Sequence, residues 1–182
     1  MDSAVMAAYA DRKVDHLTAI TFDYNQANSK ETDCARIVAK TLGIEHKIIE
    51  SPFVGDAAWF SALTNPGRFT TPTNQTLGKL PKEIPITYVP LRNTIFLSLS
   101  AALLESTVLE AIGTDNLVST EVEAHIYIGA NSVDYSGYPD CRPEYFETLN
   151  KTLRYGSKIG AQLGISPNVR TPLINLSKAE II

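Results

Sequence analysis

The chain has 182 residues, 44% of them hydrophobic and 20% charged, which is enough for one well-buried core and too ordinary a balance for a disordered segment. Its net charge of −4 argues against a general nucleic-acid coat, which needs clustered Lys and Arg, but leaves room for a nucleotide pocket with a few local cations. We read no apolar run of the roughly 18 residues that a membrane span needs, and the basic-then-apolar order of a signal peptide is missing from the N-terminus, so a cytoplasmic protein of one domain is expected.

Cys34 and Cys141 are far apart and neither lies in a C-x-x-C pair, so no disulfide framework or complete zinc site is legible. Cys34 is expected to be a buried small hydrophobe, while Cys141 has polar neighbours. His16, His46 and His125 lack the spacing of a histidine-based metal hydrolase, and no residue is assigned to a metal.

In chain order, "SAVMAAYADR" is rich in helix formers and opens with Asp2 and Ser3, both good N-caps. "HLTAITFDY" predicts a strand over 16–24. "KETDCARIVAKTLG" places Cys34, Ile37, Val38 and Leu42 on one face of a helix closed by Gly43. "EHKIIE" is a second strand. A helical patch around "DAAWFSAL" precedes a Pro, Thr and Asn-rich loop from Thr64 to Glu83, a length that in a compact domain is usually functional or mobile. "ITYVP" reads as a third strand. "NTIFLSLSAALLESTVLEAI" reads as a long helix from Asn93 to Ile112, apolar enough to be buried on several sides. "AHIYIGA" gives a fourth strand, and "PEYFETLNKTLRYGSKIGAQLG" one helix from Pro143 to Gly164. "VRTPLINLSKAEII" adds an extended piece and a last helix with Ser177 as N-cap and Glu180 closing a capping box.

Alternating strands and helices predict an α/β fold: a doubly wound, Rossmann-like parallel sheet in three layers, α/β/α. In such sheets ligands bind beyond the carboxyl ends of the strands. Polar, aromatic and charged residues gather at three of those ends, in "FDYNQ", "VPLRN" and "GANSVDYSGYPDCR". A sheet of this class normally begins with a strand, so a strand and a phosphate-binding turn are expected ahead of Met1, "MDS" being the tail of that turn.

"MDS" resembles the end of the S-G-G-x-D-S loop of the PP-loop ATP-pyrophosphatases. With "FDYNQ", "VPLRNTIFLSL", "GANSVDYSGYPDCRPEYF" and "TPLINLSKAEII", the chain is similar, from Met1 to Ile182, to the 7-cyano-7-deazaguanine synthase family of queuosine biosynthesis. It departs from that family in lacking the S-G-G and the zinc cysteines that follow the last helix, in carrying Asn25 and Asn28 where glycine and histidine are usual, and in a longer "TDNLVSTEVEAH" link. The resemblance implies an ATP-dependent ligase acting, with Mg2+, on 7-carboxy-7-deazaguanine and ammonia. It also implies a homodimer and, in full-length members, zinc. No nucleic-acid or membrane partner is expected, and without its S-G-G the chain by itself is expected to be inactive. A degenerate, non-catalytic nucleotide or deazapurine binding module is the alternative. A sibling tRNA sulfur-transferase would need a basic surface that this acidic chain does not show.

The resemblance implies site residues as follows. Asp134 and Asp140 would accept from the edge of the deazapurine, Tyr135 or Tyr138 would stack on it, and Ser136 and Gly137 would lie against it. Arg142 has two candidate partners, the substrate carboxylate and Asp140. Phe22, Asp23, Tyr24 and Gln26 would lie near the adenosine, with Asp2 and Ser3 at the phosphates. Arg92 and Asn93, where a helix N-terminus meets the crevice, suit a phosphate or carboxylate. Lys178 would face the pyrophosphate, and Asp134, Arg142 and Lys178 are the expected catalytic groups.

Overall fold

A computed structural model of the chain describes residues 1–24, 30–70, 84–115, 117–131 and 137–181. Helix α1 (Asp2–Asp11) leads to strand β1 (Thr18–Asp23), helix α2 (Lys30–Leu42) and strand β2 (Glu45–Glu50). A short helix α3 (Phe53–Ala57) comes before the long α4 (Arg92–Asp115). There follow β3 (His125–Tyr127), α5 (Pro143–Gly156), α6 (Lys158–Leu163), β4 (Asn168–Arg170) and α7 (Lys178–Ile181). Tight 3₁₀ turns occupy Ser119–Glu121 and Pro139–Cys141.

β1 pairs with β2 in parallel, Thr18 opposite Glu45 through Asp23 opposite Glu50. β3 pairs with β4 in parallel, His125 opposite Asn168 through Tyr127 opposite Arg170. Parallel neighbours need a crossover, and each pair has a helical one: α2 for the first, α5 and α6 for the second. The described residues thus form a mixed α/β fold with two separate two-stranded sheets, smaller than the sheet that the alternation predicts.

Leu97 of α4, Ala130, Phe146 and Leu149 of α5, and Val169 of β4 pack as one apolar cluster that clamps the second strand pair between two helices. Removing a side chain as large as Phe146 or Leu149 from water contributes about 2 kcal/mol. A second cluster joins Tyr24, just past β1, to Val54, Ala58 and Val89. Its partly buried fringe, Ile95 and Phe96, brings the start of α4 to the end of β1. A third joins Met6, Leu173 and Ile181, holding α1 against α7.

Several expectations need correction. Ile86–Pro90 is not a strand: Tyr88 N donates to Pro85 O at 2.9 Å and Arg92 N to Val89 O at 3.2 Å, making consecutive turns between two prolines that carry no donor for a ladder. The helix expected from Pro143 to Gly164 is broken at Ser157, whose backbone is extended and whose Oγ accepts Gly160 N–H to cap α6. A Cβ on Gly160 would lie 2.1 Å from Arg154 O, so this elbow requires glycine. Met1, not Asp2 or Ser3, is the N-cap of α1. The helical patch covers Phe53–Ala57 and gives way to turns over Trp59–Thr64.

Cys34, expected to be a buried small hydrophobe, is exposed, whereas Cys141 is buried despite its polar neighbours. α2 packs through its small residues Thr32 and Ala39, which allow close approach, and this turns Cys34 and Ile37 outward. α4 buries Leu97, Ser100, Ala101 and Val108 along a single stripe rather than on several sides. With 24 residues and a mean hydropathy of 1.7 over its most apolar 18-residue window, α4 is also long and apolar enough to cross a membrane, correcting the reading that no run is. The helix packs on β3, α6 and the Pro139–Cys141 turn. The turn into α7 follows the sequence: Ser177 N–H and Oγ both donate to Glu180 Oε2 at 2.8 Å, which holds that carboxyl below its ordinary range.

Candidate active site

Two ends of the sequence meet at the first corner of the site. Asp2 lies in the first turn of α1 and Lys178 opens α7, and their side chains form an ion pair between residues 176 positions apart. Asn131, fully buried just beyond β3, donates from Nδ2 to the same Asp2 oxygen, Oδ2, at 2.9 Å. The other oxygen, Asp2 Oδ1, is buried and has no hydrogen-bond partner among the described residues. Leaving such an acceptor unmet costs about 1–3 kcal/mol, so it is usually met when a ligand or cation arrives. Gly129 sets the close approach: a Cβ there would sit 3.1 Å from the Asp2 carbonyl carbon and 3.2 Å from Ser3 N. A side chain at 129 would push this backbone by a few tenths of an ångström, so glycine suits the close approach of the chain leaving β3 to the start of α1.

The second corner is the start of α4. Leu91, the residue before it, adopts a left-handed backbone (φ 54°) that is uncommon for a non-glycine residue, and its N–H donates to the Tyr88 hydroxyl at 3.1 Å. Leucine has no side-chain oxygen to cap a helix. The capping acceptor comes instead from Asp140, whose Oδ2 accepts the N–H of Asn93, 47 residues before it, at 3.0 Å. Asn93 Nδ2 donates back to Asp140 O at 3.3 Å and to Cys141 Sγ at 3.1 Å, and Asn93 Oδ1 accepts from Arg92 Nε at 3.4 Å. The first turn of α4 and the Pro139–Cys141 turn are thereby locked together around one cation.

Burial works against the charge of Arg92, but the Tyr24 hydroxyl that it bonds, together with Asp140 and Cys141, more than offsets this and raises its pKa. Burial pushes the Asp140 carboxyl above its ordinary range, opposed by the Asn93 N–H and by Arg92. Tyr145 is raised by burial as well, with the Thr94 hydroxyl accepting its proton at 2.9 Å. Tyr138 stacks on Tyr88 with ring centres 5.9 Å apart, and its hydroxyl lies 3.5 Å from Thr87 Oγ1. Tyr88, Tyr138, Arg92 and Asp140 line a small recess at this corner.

The structure therefore brings together Asp2, Ser3 and Lys178 at one corner, and Tyr24, Arg92, Asn93, Tyr138 and Asp140 at the other. Phe22 stacks flat on Phe96, ring centres 4.2 Å apart, so its ring is part of the packing between β1 and α4. Asp23 closes β1, and its carbonyl accepts Ser51 N–H at 2.6 Å. Gly137 leads into the Pro139–Cys141 turn. Arg142 is exposed at the N-cap of α5, and no ion pair joins it to Asp140 among the described residues. Gln26, Asp134, Tyr135 and Ser136 lie outside the described residues, as do Asn25 and Asn28. Sequence reasoning passed over Gly129, Asn131, Thr87, Tyr88 and Cys141. The first two stood in plain view in "GAN", and the tyrosine was hidden by reading "ITYVP" as a strand.

A family model described as "Queuosine biosynthesis protein QueC" matches residues 1–182. A Thermoplasma acidophilum protein named 7-cyano-7-deazaguanine synthase is 42% identical over 184 residues, covering 100% of this chain and 68% of that protein. Proteins of the same name from Desulfatibacillum aliphaticivorans and a Nostoc species are 39% and 36% identical, again over 100% of this chain and over 71% and 72% of theirs.

Proposed function

The chain belongs to the queuosine biosynthesis protein QueC family, a family of ligase-type enzymes, and from this premise we propose that it joins ammonia to 7-carboxy-7-deazaguanine with ATP. In this reading the product is 7-cyano-7-deazaguanine, the compound in the relatives' name. The two parallel strand pairs are then halves of one doubly wound sheet. The observation that carries the reading is the Asp2 corner: a lysine, a buried amide and a glycine-permitted close approach converge on a carboxylate with one unmet oxygen.

The chemistry asks for two activations. A carboxylate oxygen of the substrate attacks the α-phosphorus of ATP, the bond to pyrophosphate breaks, and an acyl adenylate forms. Ammonia attacks the acyl carbon and AMP leaves, giving the amide. The amide oxygen then attacks a second ATP in the same way, and loss of AMP and the amide protons leaves the nitrile. Each adenylation builds negative charge on pyrophosphate, which a positioned cation stabilises. Lys178 serves that charge, its ammonium passing from Asp2 to the leaving group. Arg92, held by Asn93 and Tyr24, meets the substrate carboxylate or the α-phosphate. Asp134, Arg142, Tyr135, Ser136, Gly137 and Gln26 keep the substrate and nucleotide roles that the resemblance gives them.

Asp2 fits a hard cation, since Mg2+ is commonly held by one or two carboxylates together with the phosphates of its nucleotide. Bound there with ATP, Mg2+ would neutralise charge on the β- and γ-phosphates. Zinc does not fit: among the described residues no group of three or more His, Cys, Asp or Glu gathers. The test is release of AMP and pyrophosphate by the protein extended with the S-G-G turn that the resemblance implies ahead of Met1, given ATP, Mg2+, 7-carboxy-7-deazaguanine and ammonium. Substrate-dependent AMP release that falls by about a hundredfold or more in Lys178→Ala supports the reading. Binding of both substrates by folded protein without AMP release would move it to a non-catalytic binding module.

A further inference from the structure

β3 delivers a buried amide to the Asp2 corner. The ladder runs one residue past the strand, Ile128 N–H donating to Arg170 O at 3.1 Å. The next three residues are held one by one. Gly129 lies against the backbone of Asp2 and Ser3, Ala130 sits in the apolar cluster with Leu97 and Phe146, and Asn131 has none of its surface exposed. Asparagine is mostly a surface residue, and a buried one is kept where its amide has partners. Here Nδ2 donates to Asp2 Oδ2 at 2.9 Å.

The Asp2 carboxylate is loaded unevenly. Asn131 and Lys178 both meet Oδ2, while Oδ1 is buried and has no hydrogen-bond partner among the described residues. A carboxylate free to turn about its own axis would exchange the two oxygens and share its bonds between them. The two donors on Oδ2 differ in what they can fix. Lysine is a point charge on a flexible stem, and the Lys178 side chain is 45% exposed. The Asn131 amide is planar, uncharged and enclosed, on a backbone anchored by the residues just before it. Orientation therefore comes from the amide and charge from the lysine. An acid at 131 would set like charges together, and an apolar residue would leave Oδ2 to Lys178 alone.

We propose that Asn131 is a positioning residue: it holds the Asp2 carboxylate with Oδ2 engaged and Oδ1 turned to an incoming cation, and keeps it there when Lys178 leaves for the phosphates. The assignment rests on the function proposed above and deepens it. A charge-assisted hydrogen bond that outlasts the ion pair lets the lysine change partners without loosening the carboxylate behind it. Residues that act in this way, through the group that meets a metal, commonly govern its affinity by about 10–100-fold.

The experiment uses the protein extended with the S-G-G turn and two variants. Asn131→Leu keeps much of the amide's shape without its donor, and Asn131→Ser is a smaller change whose hydroxyl stops short of Asp2. Mn2+ binding in the presence of a non-hydrolysable ATP analogue is followed by electron spin resonance, and AMP release is titrated with Mg2+. Expected in both variants is a Mn2+ Kd weakened about tenfold or more, a matching rise in the Mg2+ concentration that gives half the maximal rate, and a kcat recovered at saturating Mg2+. Circular dichroism checks the fold, and a variant that fails it leaves the comparison to the other. Variants that bind Mn2+ as tightly as the parent would overturn the positioning role. So would a fall in kcat that excess Mg2+ does not recover, with Mn2+ binding unchanged, which is what lost packing alone would produce. A parent that binds Mn2+ more tightly than its variants yet releases no AMP would sink the function proposed above and leave the positioning role in place. A folded parent that binds no Mn2+ with the analogue would remove both.

Discussion

Replacing Asp140 by alanine removes the acceptor that closes the start of α4. Leu91 cannot take its place, so Asn93 N–H would be left buried and unbonded, with Arg92 deprived of an opposing charge. An unmet buried donor costs about 1–3 kcal/mol and a lost N-cap about 1 kcal/mol. Both figures describe the same bond, so the expected loss is about 2 kcal/mol, or roughly 4–8 °C in Tm for a domain of this size. Asp140→Asn keeps a carbonyl oxygen for Asn93 and gives up only the charge, so it should fall within about 1 kcal/mol of the wild type. The two variants also separate by pH. Burial raises the Asp140 pKa above its ordinary 3.8, so the folded state holds this proton more tightly than the unfolded state. Its contribution is then fully present below 3.8 and lost as pH rises through the folded value. Asparagine has no such loss, and the stability of Asp140→Asn relative to the wild type should climb from acid towards neutral pH. Urea and thermal unfolding followed by circular dichroism across that range provide the measurement. An Asp140→Ala protein as stable as the wild type, or a flat pH difference for Asp140→Asn, would refute the capping account.

Gly129→Ala should cost about 1–2 kcal/mol, because its Cβ meets backbone rather than a movable side chain. It should also weaken binding of Mg2+ and ATP by calorimetry, as Asp2 and Asn131 are pushed apart; unchanged stability and affinity together would contradict the close approach. An aromatic disulfide reagent should titrate Cys34 at once in the native protein and Cys141 only after denaturation, since Cys34 is exposed and Cys141 is 4% exposed with Asn93 donating to its sulfur. Two fast thiols would reverse that assignment.

What could be read from the sequence were the elements whose signals are local. α2, closed by Gly43 at φ +71°, and β2 over Glu45–Glu50 fall where composition and punctuation place them, as does the Ser177–Glu180 pairing. What could not be read were properties of packing. Periodicity picks an apolar stripe on α2 but cannot know that the strands beneath prefer the small face of Thr32 and Ala39. The break at Ser157 turns on packing at Gly160 so close that an added Cβ would lie 2.1 Å from Arg154 O, a closeness that exists only once α5 and α6 have folded together. "ITYVP" has strand composition, yet two prolines and the left-handed Leu91 turn it into a scaffold for α4.

The candidate site was legible as a set of residues and illegible as a division of labour. Polar groups at a strand end look alike in sequence, and the resemblance assigns most of them to a ligand. Counting their bonds separates them. The side chain of Asn93 uses its amide on Asp140 and Cys141 and its oxygen on Arg92, and one Asp140 oxygen is spent on Asn93. A group already satisfied by the protein gains little by turning to a ligand and loses a buried bond in doing so. Asn93 and Asp140 are thereby left to place Arg92, while Asp2, with a buried oxygen unmet among the described residues, has most to gain from one. The pairing of Asp2 with Lys178 follows the same logic: the ion pair ties the first turn of α1 to the start of α7, and in the reading proposed above it is the bond that a nucleotide and its cation would exchange.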